Sequence, residues 1–149
     1  MFDKISNALK TLMTGITGIQ TIVDYESSNL DGFPALTITP SGNEGDYSTT
    51  KDNARTYAFM LRLYVTRGSG NDAESTAENT MRELVDSVLD KVDANYYAFG
   101  STVAAVSGYT FIRMLAAPSQ WGYVGASNEM RVAEIKVQIV YDVDTTVIS

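Results

Sequence analysis

The stretch from Arg55 to Arg67, RTYAFMLRLYVTR, most constrains what this chain can fold into. Its odd-numbered positions from 57 to 65 are all apolar: Tyr57, Phe59, Leu61, Leu63 and Val65. A run that alternates in this way predicts a β-strand with one face on a hydrophobic core. The even-numbered positions include Met60 and Tyr64, which are less polar than a solvated face requires. We therefore expect the even face of this strand to contact something outside the core of the subunit.

Composition narrows the possible chemistry. The chain has 149 residues, 44% of them hydrophobic and 19% charged, which is typical of one globular domain over residues 1–149. Without cysteine or histidine it has no disulfide, no thiolate metal site and no imidazole catalyst. The formal net charge of −7 argues against binding nucleic acid through its phosphates. We expect no cofactor and no metal.

The distribution of apolar residues also indicates whether the protein crosses a membrane or is exported. No apolar run approaches the roughly 18 residues that a membrane span requires. The first residues, MFDKISNALKTLM, lack the basic flank and continuous apolar segment of a signal peptide. The sequence therefore predicts a soluble protein made in a cytoplasm.

Two segments place apolar residues at spacings of three and four, which predicts amphipathic helices. They cover residues 2–16 and 72–93. The second helix begins with either Asp72 as its N-cap or Ser75 and Glu78 as a capping box. Its polar face carries a run of carboxylates, which we interpret as a solvated surface: Glu74, Glu78, Glu83, Asp86, Asp90 and Asp93.

Alternating and β-rich segments predict the strands. They lie at residues 19–25, 34–40, 55–67 and 130–142, with one or two more within 96–117. Polar segments rich in turn residues separate them: a turn at 26–33, a long loop at 41–54, and a turn or loop at 118–127. The order is α-β-β-β-α-β-β(-β). It predicts an α+β fold with a mainly antiparallel sheet and two amphipathic helices.

The segment Gly68–Ala73 matches the G-x-G-x-x-A pattern of dinucleotide-binding loops, between a predicted strand and a predicted helix. Asp72 would place a carboxylate where the pyrophosphate must bind, and no repeated β-α units follow. We interpret these residues as a flexible linker.

The segment Asp142–Thr146 resembles the D-x-D-x-T motif of aspartyl-phosphate phosphatases of the haloacid dehalogenase type. In that family the first Asp is the nucleophile and the second the acid/base, with Mg²⁺ between them. The family also needs further strands, a lysine and more acids after this motif, whereas this sequence ends at Ser149. A solvated tail is the favoured interpretation, and a small Mg²⁺-dependent phosphatase is the alternative function.

Exposed aromatic and charged residues supply the candidate contacts with other subunits or partners. They comprise three groups: Asp46, Tyr47 and Lys51 in the predicted long loop; Met60, Arg62 and Tyr64 on the even face; Trp121 and Tyr123 in the predicted last loop. For Trp121, a role as a lid on the core is an equal alternative.

Four stretches of the chain are informative when taken together: the opening amphipathic helix, RTYAFMLRLYVTRG, the acidic helix ENTMRELVDSVLDKVDAN and the closing WGYVGASNEMRVAEIKVQIVYDVDT. In this order they resemble the tail terminator (tail completion) proteins of long-tailed bacteriophages. Related small neck and connector proteins have a similar size and a similar sequence pattern.

The resemblance implies an α+β virion subunit that forms a homo-oligomeric, hexameric ring. Such a ring caps the tail tube and provides the surface for a head-completion or connector protein. DNA passes through the ring without specific binding, which agrees with the acidic charge of the chain.

The position of the two helices decides whether the apolar residues of the even face are buried in the core or left unburied by the subunit. If both cover the odd face, then Met60 and Tyr64 join three residues of the last strand that the subunit cannot bury: Met130, Val132 and Val140. If the helices lie on opposite faces, all five residues belong to the core.

Overall fold

The structure, a computed structural model, describes residues 1–27, 29–47, 49–68, 72–117, 120–124 and 129–147. Within these ranges the chain forms two α-helices and one six-stranded sheet. The helices are α1 (Phe2–Met13) and α2 (Ala73–Ala94). The strands are β1 (Thr21–Val23), β2 (Ala35–Tyr47), β3 (Asp52–Thr66), β4 (Tyr109–Ala116), β5 (Gln120–Val124) and β6 (Met130–Asp144). A 3-10 helix, Phe99–Thr102, precedes β4. The predicted α+β fold is confirmed.

The sheet is built around the antiparallel pair of β3 and β6. Each strand has 15 residues, and they pair over their full length from Asp52 opposite Asp144 to Thr66 opposite Met130. β2 pairs antiparallel with the other side of β3. The remaining side of β6 is shared, with β5 beside its first residues and β4 beside its later ones. β1 runs parallel to β2 and pairs with Ala35–Thr37.

Both helices pack on the same side of the sheet. The buried apolar residues of α1 and α2 belong to one core cluster with the odd-numbered apolar residues of β3 and β6. The Phe2 ring, for example, lies 5.6 Å from the Phe59 ring. The first of the two expected arrangements is therefore present, and we call the opposite side of the sheet the outer face.

One residue expected to stay unburied on the outer face is buried. Val140 is 5% exposed, although no helix covers that side. It pairs with Thr56 of β3 and Arg113 of β4. Its position inside the sheet, between strands on both sides, explains its burial because neighbouring side chains on one face shield one another.

The prediction of a long loop at residues 41–54 is wrong. β2 continues to Tyr47 and β3 begins at Asp52, so only four residues separate the two paired strands in the chain. All of residues 40–47 are exposed. An exposed strand needs no apolar alternation, because its ladder is made by backbone groups whatever its side chains are.

Other boundaries also differ. Residues 120–124, placed in the predicted last loop, form strand β5, while residues 118–119 and 125–127 of that segment lie outside the described ranges. Residues 69–71 of the glycine pattern Gly68–Ala73 also lie outside the described ranges. α1 ends at Met13, three residues earlier than expected, and α2 starts after Asp72, whose side chain makes no capping hydrogen bond.

The 3-10 helix approaches β4 so closely that Gly100 is the residue that fits. A Cβ atom at this position would lie 2.5 Å from Cβ of Phe111. We expect Gly100→Ala to lower the free energy of unfolding by about 1–3 kcal/mol through this clash, measured by urea denaturation.

The matched control is Gly122→Ala on β5, because a Cβ atom there meets no atom within 4 Å. It should change stability by less than about 0.5 kcal/mol. Equal stability of the Gly100→Ala variant and the wild type would contradict the close approach.

Candidate assembly surfaces

The first candidate surface is an edge of the sheet. β1 covers β2 at Ala35–Thr37, and beyond that point the described structure places a strand on the β3 side of β2 alone. We call residues 40–47 the free edge. Asp46 and Tyr47 lie on it, and the Tyr47 side chain is 69% exposed. Lys51 directly precedes β3 and is also exposed.

The second candidate surface is the outer face, where Arg62 lies between two carboxylates. Its Nη1 donates to Glu26 Oε1 at 2.6 Å and its Nε donates to Glu134 Oε1 at 3.1 Å. Glu26 belongs to the irregular segment after β1. Its Oε1 also accepts a hydrogen bond from the Thr37 hydroxyl at 2.9 Å. This segment therefore covers part of the outer face, which explains how the polar side chain of Thr37 is fully buried.

The network shifts the acidity of its members. Burial raises the pKa of Glu26, but hydrogen bonds from Arg62 and Thr37 outweigh burial and hold it below its ordinary value of 4.5. The hydrogen bond to Glu26 is the main reason why the pKa of Arg62 is raised. The arrangement keeps both partners charged at neutral pH.

Met60 and Tyr64 differ in their surroundings. Both are half-buried on the outer face. The Tyr64 hydroxyl donates to Glu26 Oε2 at 3.4 Å, so the Glu26 segment lies over it. Met60 makes no hydrogen bond in this network through its side chain and lines a hollow with Ala117, Gln120, Glu134 and Lys136. Met60 is therefore the apolar candidate that faces open space, whereas the Tyr64 hydroxyl is engaged by Glu26.

The third candidate surface is β5, where Trp121 and Tyr123 flank Arg131. The guanidinium carbon lies 5.2 Å from the Trp121 ring centroid and 4.6 Å from that of Tyr123. Arg131 Nε also donates to Glu78 Oε2 of α2 at 2.8 Å. Trp121 packs against the core, as the lid alternative expected, while Tyr123 is 52% exposed.

The fold keeps these groups apart. Trp121 and Tyr123 pair with Ala133 and Arg131, on the helix side of the sheet, whereas Met60 and Tyr64 face the opposite side. Sequence reasoning missed the partners Glu26, Glu134 and Arg131. It also assigned Glu78 to solvent, although this carboxylate pairs with Arg131. Such cross-strand and strand-to-helix pairs become visible only once the register is known.

The two aspartates of the phosphatase motif lie near the end of β6. Asp142 pairs with Ala54 and Thr110. Asp144 Oδ1 accepts hydrogen bonds from the Thr146 hydroxyl at 2.6 Å and the Thr146 amide at 2.9 Å. These bonds hold the pKa of Asp144 below its ordinary value, which makes it a poorer general acid.

Within the described ranges, no group of three or more Asp or Glu residues is arranged to hold a metal ion. No helix in the same ranges is both long and apolar enough to cross a membrane.

A comparison with solved structures finds chains of similar fold. A chain from the "Virion of native gene transfer agent (GTA) particle" superposes on this protein with a TM-score of 0.56. The match covers 92% of this chain and 93% of that chain at 11% sequence identity. The two chains share a fold. The sequence itself matches no protein-family model and no curated protein.

The Arg62 network predicts a pH-dependent contribution to stability. Because the pKa of Glu26 is lowered on folding, its contribution is present above pH 4.5 and is lost as the pH falls through the folded value. The wild type should exceed Glu26→Gln in free energy of unfolding at pH 7, and the difference should be smaller at a pH below 4.5. We expect less than about 1 kcal/mol, since the Glu26 side chain is 44% exposed.

Urea denaturation at both pH values measures this difference. Glu44→Gln, which removes an exposed carboxyl outside every described ion pair, is the matched control. A Glu26→Gln effect that grows at low pH would show that the sign is wrong.

Proposed function

We propose that this protein is a structural component of a phage-like virion. In this proposal its copies form a ring, hexameric as in tail terminator proteins, that ends the tail tube and joins it to the head. The observation that carries the proposal is the fold shared with a chain of a gene transfer agent virion over nearly the whole of both chains.

The surfaces of the subunit support this proposal. A closed ring of identical subunits needs two different surfaces on each subunit, because every interface joins one side of a copy to another side of the next. The free edge and β5 lie at different edges of the sheet, and the outer face around Met60 adjoins β5 at Gln120. Each surface carries aromatic or apolar residues that are exposed or only half-buried.

The net charge of the chain also supports the proposed role in a tail ring. The net charge of −7 opposes binding to the phosphates of DNA. DNA can then move through such a ring without being held. Tail tube protein and a head-completion or connector protein are the partners that this proposal requires.

Mass photometry and negative-stain electron microscopy test ring formation. The purified protein should assemble with increasing concentration into one species of several subunits, or do so when tubes of the cognate tail tube protein are added. The images should then show rings at tube ends. A protein that stays monomeric and neither binds nor caps tubes would overturn the proposal.

A single substitution tests the outer face. Met60→Lys should weaken assembly at least about tenfold, because it places a charge in an apolar contact, while changing the free energy of unfolding by less than about 1 kcal/mol. Asn79→Lys adds the same charge at an exposed position of α2 and should assemble normally. Unchanged assembly of Met60→Lys would remove the outer face from the interface.

A further inference from the structure

The register of the sheet determines where the backbone groups of the free edge point. The Arg67 amide donates to the Glu129 carbonyl, and the Thr145 amide donates to the Lys51 carbonyl, each at 2.7 Å. Both bonds continue the β3–β6 register, which pairs odd-numbered residues with odd-numbered residues without a shift. Hydrogen-bonded pairs alternate along an antiparallel ladder. Odd-numbered residues of β3 therefore direct their amides and carbonyls at β6, and even-numbered residues direct theirs at β2.

The outward residues of β2 follow from this alternation. Beyond the irregularity at Pro40–Gly42, Glu44 pairs with Thr56 and Asp46 pairs with Ala54. Glu44 and Asp46 therefore bond to β3, whereas the residues between and beside them direct their backbone groups away from the sheet: Asn43, Gly45 and Tyr47. Within the described residues no other segment hydrogen-bonds to the backbone there. These three residues form a template for an added antiparallel strand.

The opposite edge of the sheet behaves differently. By the same alternation, Arg113 and Leu115 of β4 bond to β6, and Met114 points outward. The Met114 amide is satisfied within the chain, since it donates to the Tyr96 carbonyl at 2.9 Å. The chain thus caps β4 at this point, and the free edge has no corresponding cap among the described residues.

One two-fold register pairs all three outward residues with each other, and there two copies of the free edge would match in backbone groups but not in charge. In this register Gly45 would lie opposite Gly45 of the second copy, and Asn43 opposite Tyr47. Glu44 would then lie directly opposite Asp46 of the second copy, twice in each dimer. Like charges in this position destabilise the pair. Neither carboxylate forms an ion pair or a side-chain hydrogen bond with a described residue that could offset the repulsion.

We infer that the free edge binds an extended strand of a partner protein that carries Lys or Arg opposite Glu44 and Asp46. Backbone hydrogen bonds to Asn43, Gly45 and Tyr47 supply the contact, and the two carboxylates select the partner. This inference rests on the proposed function, since it names the way in which one of the assembly surfaces binds.

The chain itself provides a probe with the required charge. A Glu44→Lys/Asp46→Lys variant keeps the outward backbone groups and places lysines opposite the two carboxylates of a wild-type copy. Wild type and variant, labelled with different dyes, are mixed below the concentration at which either assembles alone. We expect the dissociation constant of the mixed pair to lie at least about tenfold below that of either protein with itself.

Two substitutions of Asn43 distinguish the contribution of its backbone amide to binding from that of its side chain. Asn43→Pro removes an outward amide and leaves the bonds to β3 intact, so it should weaken the mixed pair at least about tenfold. Asn43→Ala keeps the amide and should stay within about threefold. Thermal melting of each variant checks that the fold is retained.

Amide exchange followed by NMR gives a readout that needs no proline variant. In the mixed pair the amides of Asn43, Gly45 and Tyr47 should become protected, while those of Glu44 and Asp46 are protected in both states. No mixed pair, or one that tolerates Asn43→Pro and leaves the three amides unprotected, would overturn the inference. Assembly, tube binding and tube capping are scored separately on wild type. Assembly without a mixed pair overturns this inference alone, and a mixed pair formed by a wild type that stays monomeric and neither binds nor caps tubes overturns the proposed function alone.

Discussion

The continuous register between β3 and β6 is the constraint on which the rest of the structure depends. Over 15 residues without a shift, it places the odd-numbered residues of both strands under the helices and the even-numbered residues on the outer face. A slip of one residue would exchange the two faces. The same register also decides which backbone groups of β3 meet β2, and so which groups of β2 point away from the sheet.

Ion pairs hold the peripheral segments onto this sheet. Arg62 connects Glu26 of the segment after β1 to Glu134 of β6, and Arg131 connects Glu78 of α2 to the aromatic residues of β5. The Arg62–Glu26 pair is partly exposed and contributes little to the free energy of folding, whereas Arg131 and Glu78 are more buried. The main consequence of these contacts is positional, because they hold the Glu26 segment and the aromatic side chains of β5 against the sheet. The unpaired carboxylates of the free edge stand in contrast to them.

Polarity of the free edge has two consequences. Solvent-exposed side chains such as Glu44 and Asp46 keep an open strand soluble and oppose contact between identical edges. They leave the backbone groups of the strand available to a partner with complementary charge. A structural protein that must assemble in one way and not aggregate in others needs both properties.

By itself the sequence determined the parts of this protein whose hydrophobic pattern reports burial. These are the two amphipathic helices, the strands at Arg55–Arg67 and Met130–Asp142, the α+β class and the absence of histidine and cysteine chemistry. It failed for the free edge and β5, because strands that are exposed or short carry no such pattern. Only the tertiary structure decided that both helices lie on one face, that Glu26 and Glu134 meet Arg62, and that Asn43, Gly45 and Tyr47 point outward. Each of these depends on strand order and register, which join residues far apart in the chain and leave no local signal in the sequence.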